Sequence, residues 1–293
     1  MTYEQQYNLY LKRFEDALSE NCNVYLPTNS KVCEAARYSL LAGGKRVRAV
    51  LTMASCDMLG GDLTTAADFA CAVEMLHCFS LIHDDLPCMD NDNFRRGKPS
   101  CHKAYDEATA LLAGDVLLTE AFEVIADSNA ADRAKAEACK ELALGGGSRG
   151  MIFGQELDLA YEGKDVTEET LHLIHNNKTG ALINAAVQMG ISAANGSEKD
   201  HEVLKQYAFG LGLVFQIVDD VLDVVSTSEE LGKPIGSDAE NGKVTFVTLH
   251  GVEKAMDLAK TLNDKICLDL KSVYGSKADF LVELAQRLLT RRS

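Results

Sequence analysis

The chain reads as an all-α fold in a single domain, and three observations predict it. Apolar residues recur at helical spacing along its length, no strand-like alternation is sustained anywhere, and 46% of residues are hydrophobic with only four prolines and no tryptophan. At 293 residues the chain can bury a sizeable core, and an all-helical chain of this length commonly stays one domain. The formal net charge of −15 argues against nucleic acid as a partner, which needs a basic surface. It leaves an anionic substrate open, because divalent metals invert a local field. Nine cysteines are an odd number, and Cys71, Cys78 and Cys88 sit among helical apolar positions, so they read as buried free thiols in a reducing compartment. No Cys-x-x-Cys pair supports a zinc site. The stretch 1–21 is amphipathic and mixed in charge, unlike a signal peptide, and no segment reads as long and apolar enough to span a bilayer. The expected location is cytoplasmic.

The first helix is expected over 3–20, followed by a polar connection over 21–29 that contains Pro27. A second helix over 31–42 stops at Gly43-Gly44, and Lys45-Arg46-Val47-Arg48 leads into a third over 50–59. After Gly60-Gly61 a long apolar helix starts near Thr64 or Thr65 and carries Glu74, His77 and Asp84 on one face. Pro87 cannot continue the ladder, and Leu86 before it is biased out of the α region, so the helix should break after Asp84-Asp85 and let Asp90 fold back. Gly97-Lys98-Pro99 reads as a loop, with helices over 105–126 and 130–144. The glycine run 145–150 is either a flexible linker or a tight approach of backbones, with Gln155 and Asp158 following at i and i+3 on the next helix. Thr167 is a good N-cap for a helix running to about 193, with Glu168 and Glu169 in its first turn. A helix over 199–225, a polar loop bearing Lys233 and Lys243, and two or three shorter helices complete the chain.

Two acidic clusters carry the chemistry. Asp84-Asp85-Leu86-Pro87-Cys88-Met89-Asp90 is followed by Arg95-Arg96-Gly97, and Gln216-Ile217-Val218-Asp219-Asp220-Val221-Leu222-Asp223 lies inside an apolar helix. One such pair of acids would merely be solvated. Carboxylates this close repel one another and are costly to desolvate, so two clusters in apolar helices ask for a cation. Magnesium suits them, as a hard ion that binds oxygen through one or two carboxylates plus the phosphates of a substrate.

In order and spacing, from about Gly43 to Lys243, these elements resemble the trans-isoprenyl diphosphate synthases, and most of all the bacterial farnesyl diphosphate synthases. The resemblance implies an all-α bundle of ten or more helices around a central cavity, a homodimer, small diphosphate substrates, and magnesium, with three ions per active site. It implies that Asp84, Asp85 and Asp90 on one wall and Asp219, Asp220 and Asp223 on the other clamp those ions, with Asp84, Asp85, Asp90 and Asp219 as ligands and Lys178 among the catalytic residues. By the same resemblance Arg95, Lys178, Thr179, Gln216 and Lys233 line the allylic diphosphate site, with Lys243 nearby. Lys45, Arg48, His77 and Arg96 match the pocket for isopentenyl diphosphate. That second substrate must keep its diphosphate while its alkene attacks, so a metal-free cationic pocket is the logical choice. In the family the released pyrophosphate takes the final proton. Asn91 and Asn93 stand where relatives are often acidic, and Ala49 replaces a frequent proline, which puts a metal role for Asn93 in doubt.

The resemblance also places the determinants of product length four and five residues before the first acid, at Ser80 and Phe79. They lie roughly 6 to 7.5 Å down the helix from Asp84, and a ring at Phe79 then favours a stop at fifteen carbons over twenty. Two other classes compete with this reading. A terpene cyclase needs no isopentenyl diphosphate pocket, so Lys45, Arg48 and Arg96 speak against it. A non-catalytic subunit tends to lose acidic motifs, and both are present. Whether Arg291-Arg292 closes over the site is left open by the sequence.

Overall fold

In a computed structural model the described residues are 1–225 and 243–291, and they are almost wholly helical. They group into two compact units, 1–140 with 189–196 and 141–188 with 197–293.

In the first unit α1 (Tyr3–Tyr25) opens on a capping box between Thr2 and Gln5 and runs past the expected end, to the residue pair before Pro27. α2 (Lys31–Leu40) is capped by Ser30 and gives way to Gly43 and Gly44 at positive φ. α3 (Val47–Met58) leads to α4 (Leu63–Asp84), whose start lies slightly earlier than expected because the Asp62 carboxylate accepts from the N–H groups of Thr64 and Thr65. α5 (Cys101–Ala104) and α6 (Glu107–Asp127) follow, and α4 packs along α6 and α3. α4 is apolar on all sides because it is the core. By length and composition it does pass as a membrane span, against the expectation that no segment would, but 78% of its most apolar window is buried inside the protein.

Between α4 and α5, Phe94–Arg95 pairs antiparallel with Lys98–Pro99, a short hairpin where a plain loop is expected. Its two-residue turn is Arg96-Gly97, with φ of 55° and 75°. Positive φ at both central positions is the type I′ geometry that matches strand twist. The turn therefore sets Arg96 at the tip.

α7 (Asp132–Gly146) and α10 (Ala181–Ala193) contribute residues to both units. The second unit holds α8 (Met151–Tyr161), α9 (Glu168–His175), α11 (Glu198–Val225), α12 (Phe246–His250), α13 (Val252–Tyr274) and α14 (Asp279–Leu289). Leu171, Val214, Ile217, Val218 and Phe246 centre its core. The helix expected from Thr167 to 193 is interrupted: a π-helical turn, Asn176–Gly180, separates α9 from α10. Gly145, near the end of α7, serves close approach, since a Cβ on it would lie 2.5 Å from that of Ala185. All nine cysteines are free; Cys71 and Cys78 are buried as expected, whereas Cys88 is exposed because it sits beyond the helix break at Pro87.

Candidate active site

The first acidic row is built by the end of α4. Asp84 is its last residue, and the chain turns back so that the Asp90 N–H donates to the Asp84 carbonyl at 2.9 Å. Asp85 is buried, and burial pushes its carboxyl up. Arg95 opposes that shift: its Nε lies 3.0 Å from Asp85 Oδ1, its Nη2 closes a second contact there, and Nη2 also reaches Asp92 Oδ2 at 3.0 Å. The hairpin thus brings Arg95 onto the row. Phe79 is buried five residues before Asp84, while Ser80 is half-buried and donates back to the His77 carbonyl.

The cationic corner lies around α3 and α4. Burial lowers the Arg48 guanidinium to about 10, with Arg96 adding to the effect and Glu74 opposing it, and its Nε is buried without a partner. His77 is pushed well below its ordinary value by burial and then by Arg48 and Arg96, so it is neutral at pH 7. Arg96 donates from Nη1 to the Gly43 carbonyl. Arg48, His77 and Arg96 therefore share one electrostatic neighbourhood, whereas Lys45 is exposed and its backbone carbonyl is held by the Tyr7 hydroxyl at 2.9 Å. Two residues that sequence reasoning left without a role organise this corner. Arg46 is in the left-handed region at φ 49° and buried; it donates from Nη2 to the Leu40 carbonyl at 2.6 Å and from Nη1 to Glu74 at 3.3 Å. The other oxygen of Glu74 accepts from the Ala49 N–H at 3.2 Å.

In the second unit a solvent-open cleft of about 580 Å³ is lined by Asp158, His175, Lys178, Gln216, Asp220 and Lys243. The π-turn delivers Lys178 to it because Gly154 of α8 lets the backbones touch: a Cβ there would lie 2.0 Å from the Lys178 nitrogen. Thr179 donates to Gln216 Oε1 at 3.0 Å, Gln216 Nε2 is 3.4 Å from Asp220 Oδ1, and the Phe246 N–H donates to Asp220 Oδ2 at 3.0 Å. Asp158, singled out only by its place after the glycine run, is central here. Burial would raise its carboxyl, but Lys178 at 2.5 Å and Lys243 at 3.5 Å outweigh that and hold it below its ordinary value. Both amide atoms of its neighbour Gln155 are buried without a partner. Asp220 and Asp223 are buried, and the more exposed Asp219 is met by Arg291 at 2.7 Å, with that guanidinium 3.7 Å from the centre of the Phe215 ring. Lys233 and Arg292 lie outside the described residues.

Among the described residues no three His, Cys, Asp or Glu side chains already converge on a point that could hold an ion. Magnesium keeps much of its water and completes its shell with substrate phosphate rather than a protein cage. The donors of both rows are all carboxylate oxygen, as the ion prefers.

A family model described as polyprenyl synthetase matches residues 29–277. The chain is 45% identical to geranylgeranyl pyrophosphate synthase 3, chloroplastic, of Arabidopsis thaliana, over 98% of this chain and 82% of that protein. Among solved structures, an FPP/GFPP synthase from Zymomonas mobilis superposes with TM-score 0.87 at 34% identity, covering 99% of this chain and all of the other. A geranyltransferase from Helicobacter pylori complexed with magnesium and isoprenyl diphosphate superposes with TM-score 0.85 at 35% identity, covering 97% and 96%. With the two acidic rows and the cations beside them, these matches mean that the chain belongs to the polyprenyl synthetase family and is a prenyltransferase of the trans-prenyl diphosphate synthase kind.

Proposed function

We propose that this prenyltransferase joins isopentenyl diphosphate head to tail to dimethylallyl or geranyl diphosphate, releasing pyrophosphate and stopping at farnesyl diphosphate. In this reading Asp84, Asp85, Asp90 and Asp219 hold magnesium, with Asp220 and Asp223 completing the second row; the magnesium in the complexed Helicobacter relative supports use of that ion. When bound, the metal supplies Lewis acidity at the departing diphosphate. Lys178 and Lys243 bind diphosphate oxygens by giving up Asp158 as their anion, and Lys233 and Arg95 add charge. Thr179 and Gln216, already hydrogen-bonded to each other, orient the reacting end. Arg48, His77, Arg96 and Lys45 hold the isopentenyl diphosphate. Arginine forks grip its phosphates, and neutral His77 donates one N–H. An assembly of two copies belongs to the same proposal, and Leu111 and Leu112 of α6, 46% and 50% exposed, are apolar surface that a second copy would cover.

The observation that carries the two-diphosphate reading is the buried, unpartnered Nε of Arg48 beside His77 and Arg96, a cation cluster with no use in a cyclase. For product length, buried Phe79 five residues before Asp84 supports fifteen carbons. The 45% identity to a geranylgeranyl synthase supports a second reading, a stop at twenty. The test is incubation with geranyl diphosphate and magnesium, with and without isopentenyl diphosphate, and chromatography of the product. A C15 product formed only with both substrates is expected; a dominant C20 product transfers the conclusion to the second reading, and a cyclised product without isopentenyl diphosphate removes both.

A further inference from the structure

A ring acting as the floor of an elongation cavity must be held, because rotation about χ1 would swing it aside. Phe79 is held from one direction that the structure makes explicit. Its ring centroid lies 4.8 Å from that of His83, with the planes at 73°, an edge-on contact. His83 is one turn nearer Asp84, and helical side chains lean back toward the N-terminus, so the ring at i+4 covers the ring at i.

His83 is in turn fixed by the neighbouring helix. Its Nε2 lies 2.9 Å from the Leu111 carbonyl oxygen of α6, and Asp115 Oδ1 is 3.9 Å away. The ring enters a notch at Gly114, where a Cβ would sit 2.2 Å from Nε2 and 2.4 Å from Cδ2. Any side chain at 114 would therefore expel it. The backbone of α6, the imidazole and the phenyl ring form a stack in which each member limits the next.

We propose that His83, seated in the Gly114 notch, is a specificity-determining positioning residue that holds the Phe79 ring across the path of the growing chain. Loss of the ring at 83, or its expulsion from the notch, gives Phe79 room to turn and lengthens the product. This rests on the reading of Phe79 as the floor, and the two ideas fail differently. Products formed with enzyme in excess over geranyl diphosphate, labelled isopentenyl diphosphate in excess over both, and magnesium would be compared for wild type, Phe79→Ala, His83→Gln and Gly114→Ala. Excess enzyme keeps slow variants measurable, which matters because His83 adjoins Asp84. His83→Gln retains an N–H that can reach the Leu111 carbonyl but removes the ring. Phe79→Ala is expected to lengthen the product, and His83→Gln and Gly114→Ala each to raise the C20 to C15 ratio at least fivefold. The double variant Phe79→Ala, His83→Gln should go no further than Phe79→Ala alone. If Phe79→Ala lengthens the product while the other two change only the rate, His83 is not the prop and the floor stands. If Phe79→Ala leaves product length unchanged, the floor and the prop are both overturned. Should Gly114→Ala fail to fold, His83→Gln decides alone.

Discussion

Arg46 illustrates how far one residue's role departs from its sequence context. In Lys45-Arg46-Val47-Arg48 it looks like one more solvated cation, yet its guanidinium is 5% exposed and its partner Glu74 2% exposed, with Phe14 beneath the charge at 5.6 Å. Truncating one member of a buried pair leaves the other charge uncompensated, which costs about 3–5 kcal/mol, against about 0.3–0.5 kcal/mol for an exposed i,i+4 pair such as Lys12 and Asp16. Arg46→Ala should therefore lower the urea midpoint sharply while Lys12→Ala barely moves it. If the two variants unfold alike, the pair is not the anchor of the cationic corner. Glu74 was visible on the polar face of α4, but its use was not: the contact with Ala49 depends on how α3 packs on α4, and the left-handed backbone at Arg46 comes with it.

At the scale of elements, most helix starts were legible because caps are local chemistry: Thr167 accepts from the N–H of Thr170, and Ser30 from that of Cys33. Pro87 foretold the break after α4 for the same reason. The π-turn at Asn176–Gly180 was not foretold, because what widens the helix is contact with α8 at Gly154 rather than a local residue preference. Gly154→Ala tests this. With a backbone atom 2.0 Å from the new Cβ the turn has to shift, at about 1–3 kcal/mol. Steady-state kinetics should then show KM for the allylic diphosphate rising at least tenfold, and KM for isopentenyl diphosphate rising far less. Equal rises would mean that the turn does not serve the allylic side.

For the whole molecule, buried neutral histidines set an acid limit. His175 is 9% exposed and stacked on Phe246, and burial lowers its pKa to about 4, with Lys178 adding to the effect and Asp158 opposing it. The unfolded chain takes up that proton near 6.5 and the folded chain does not until about 4, so stability is lost as pH falls through this window. One such group gives about 2 kcal/mol between pH 7.5 and pH 5, and His77 acts in the same direction. Urea midpoints at the two pH values should differ accordingly, and His175→Gln should flatten the dependence; an unchanged slope would mean that His175 titrates normally. The sequence by itself determined the helices, the two acidic rows and the family, because helical period, caps, proline and carboxylate spacing are written in neighbouring residues. Only the tertiary structure decided that Asp158 bridges two lysines, that Arg46 is buried, and that His83 rests in a glycine notch, since each depends on a partner whose position is set by packing and not by the chain on either side.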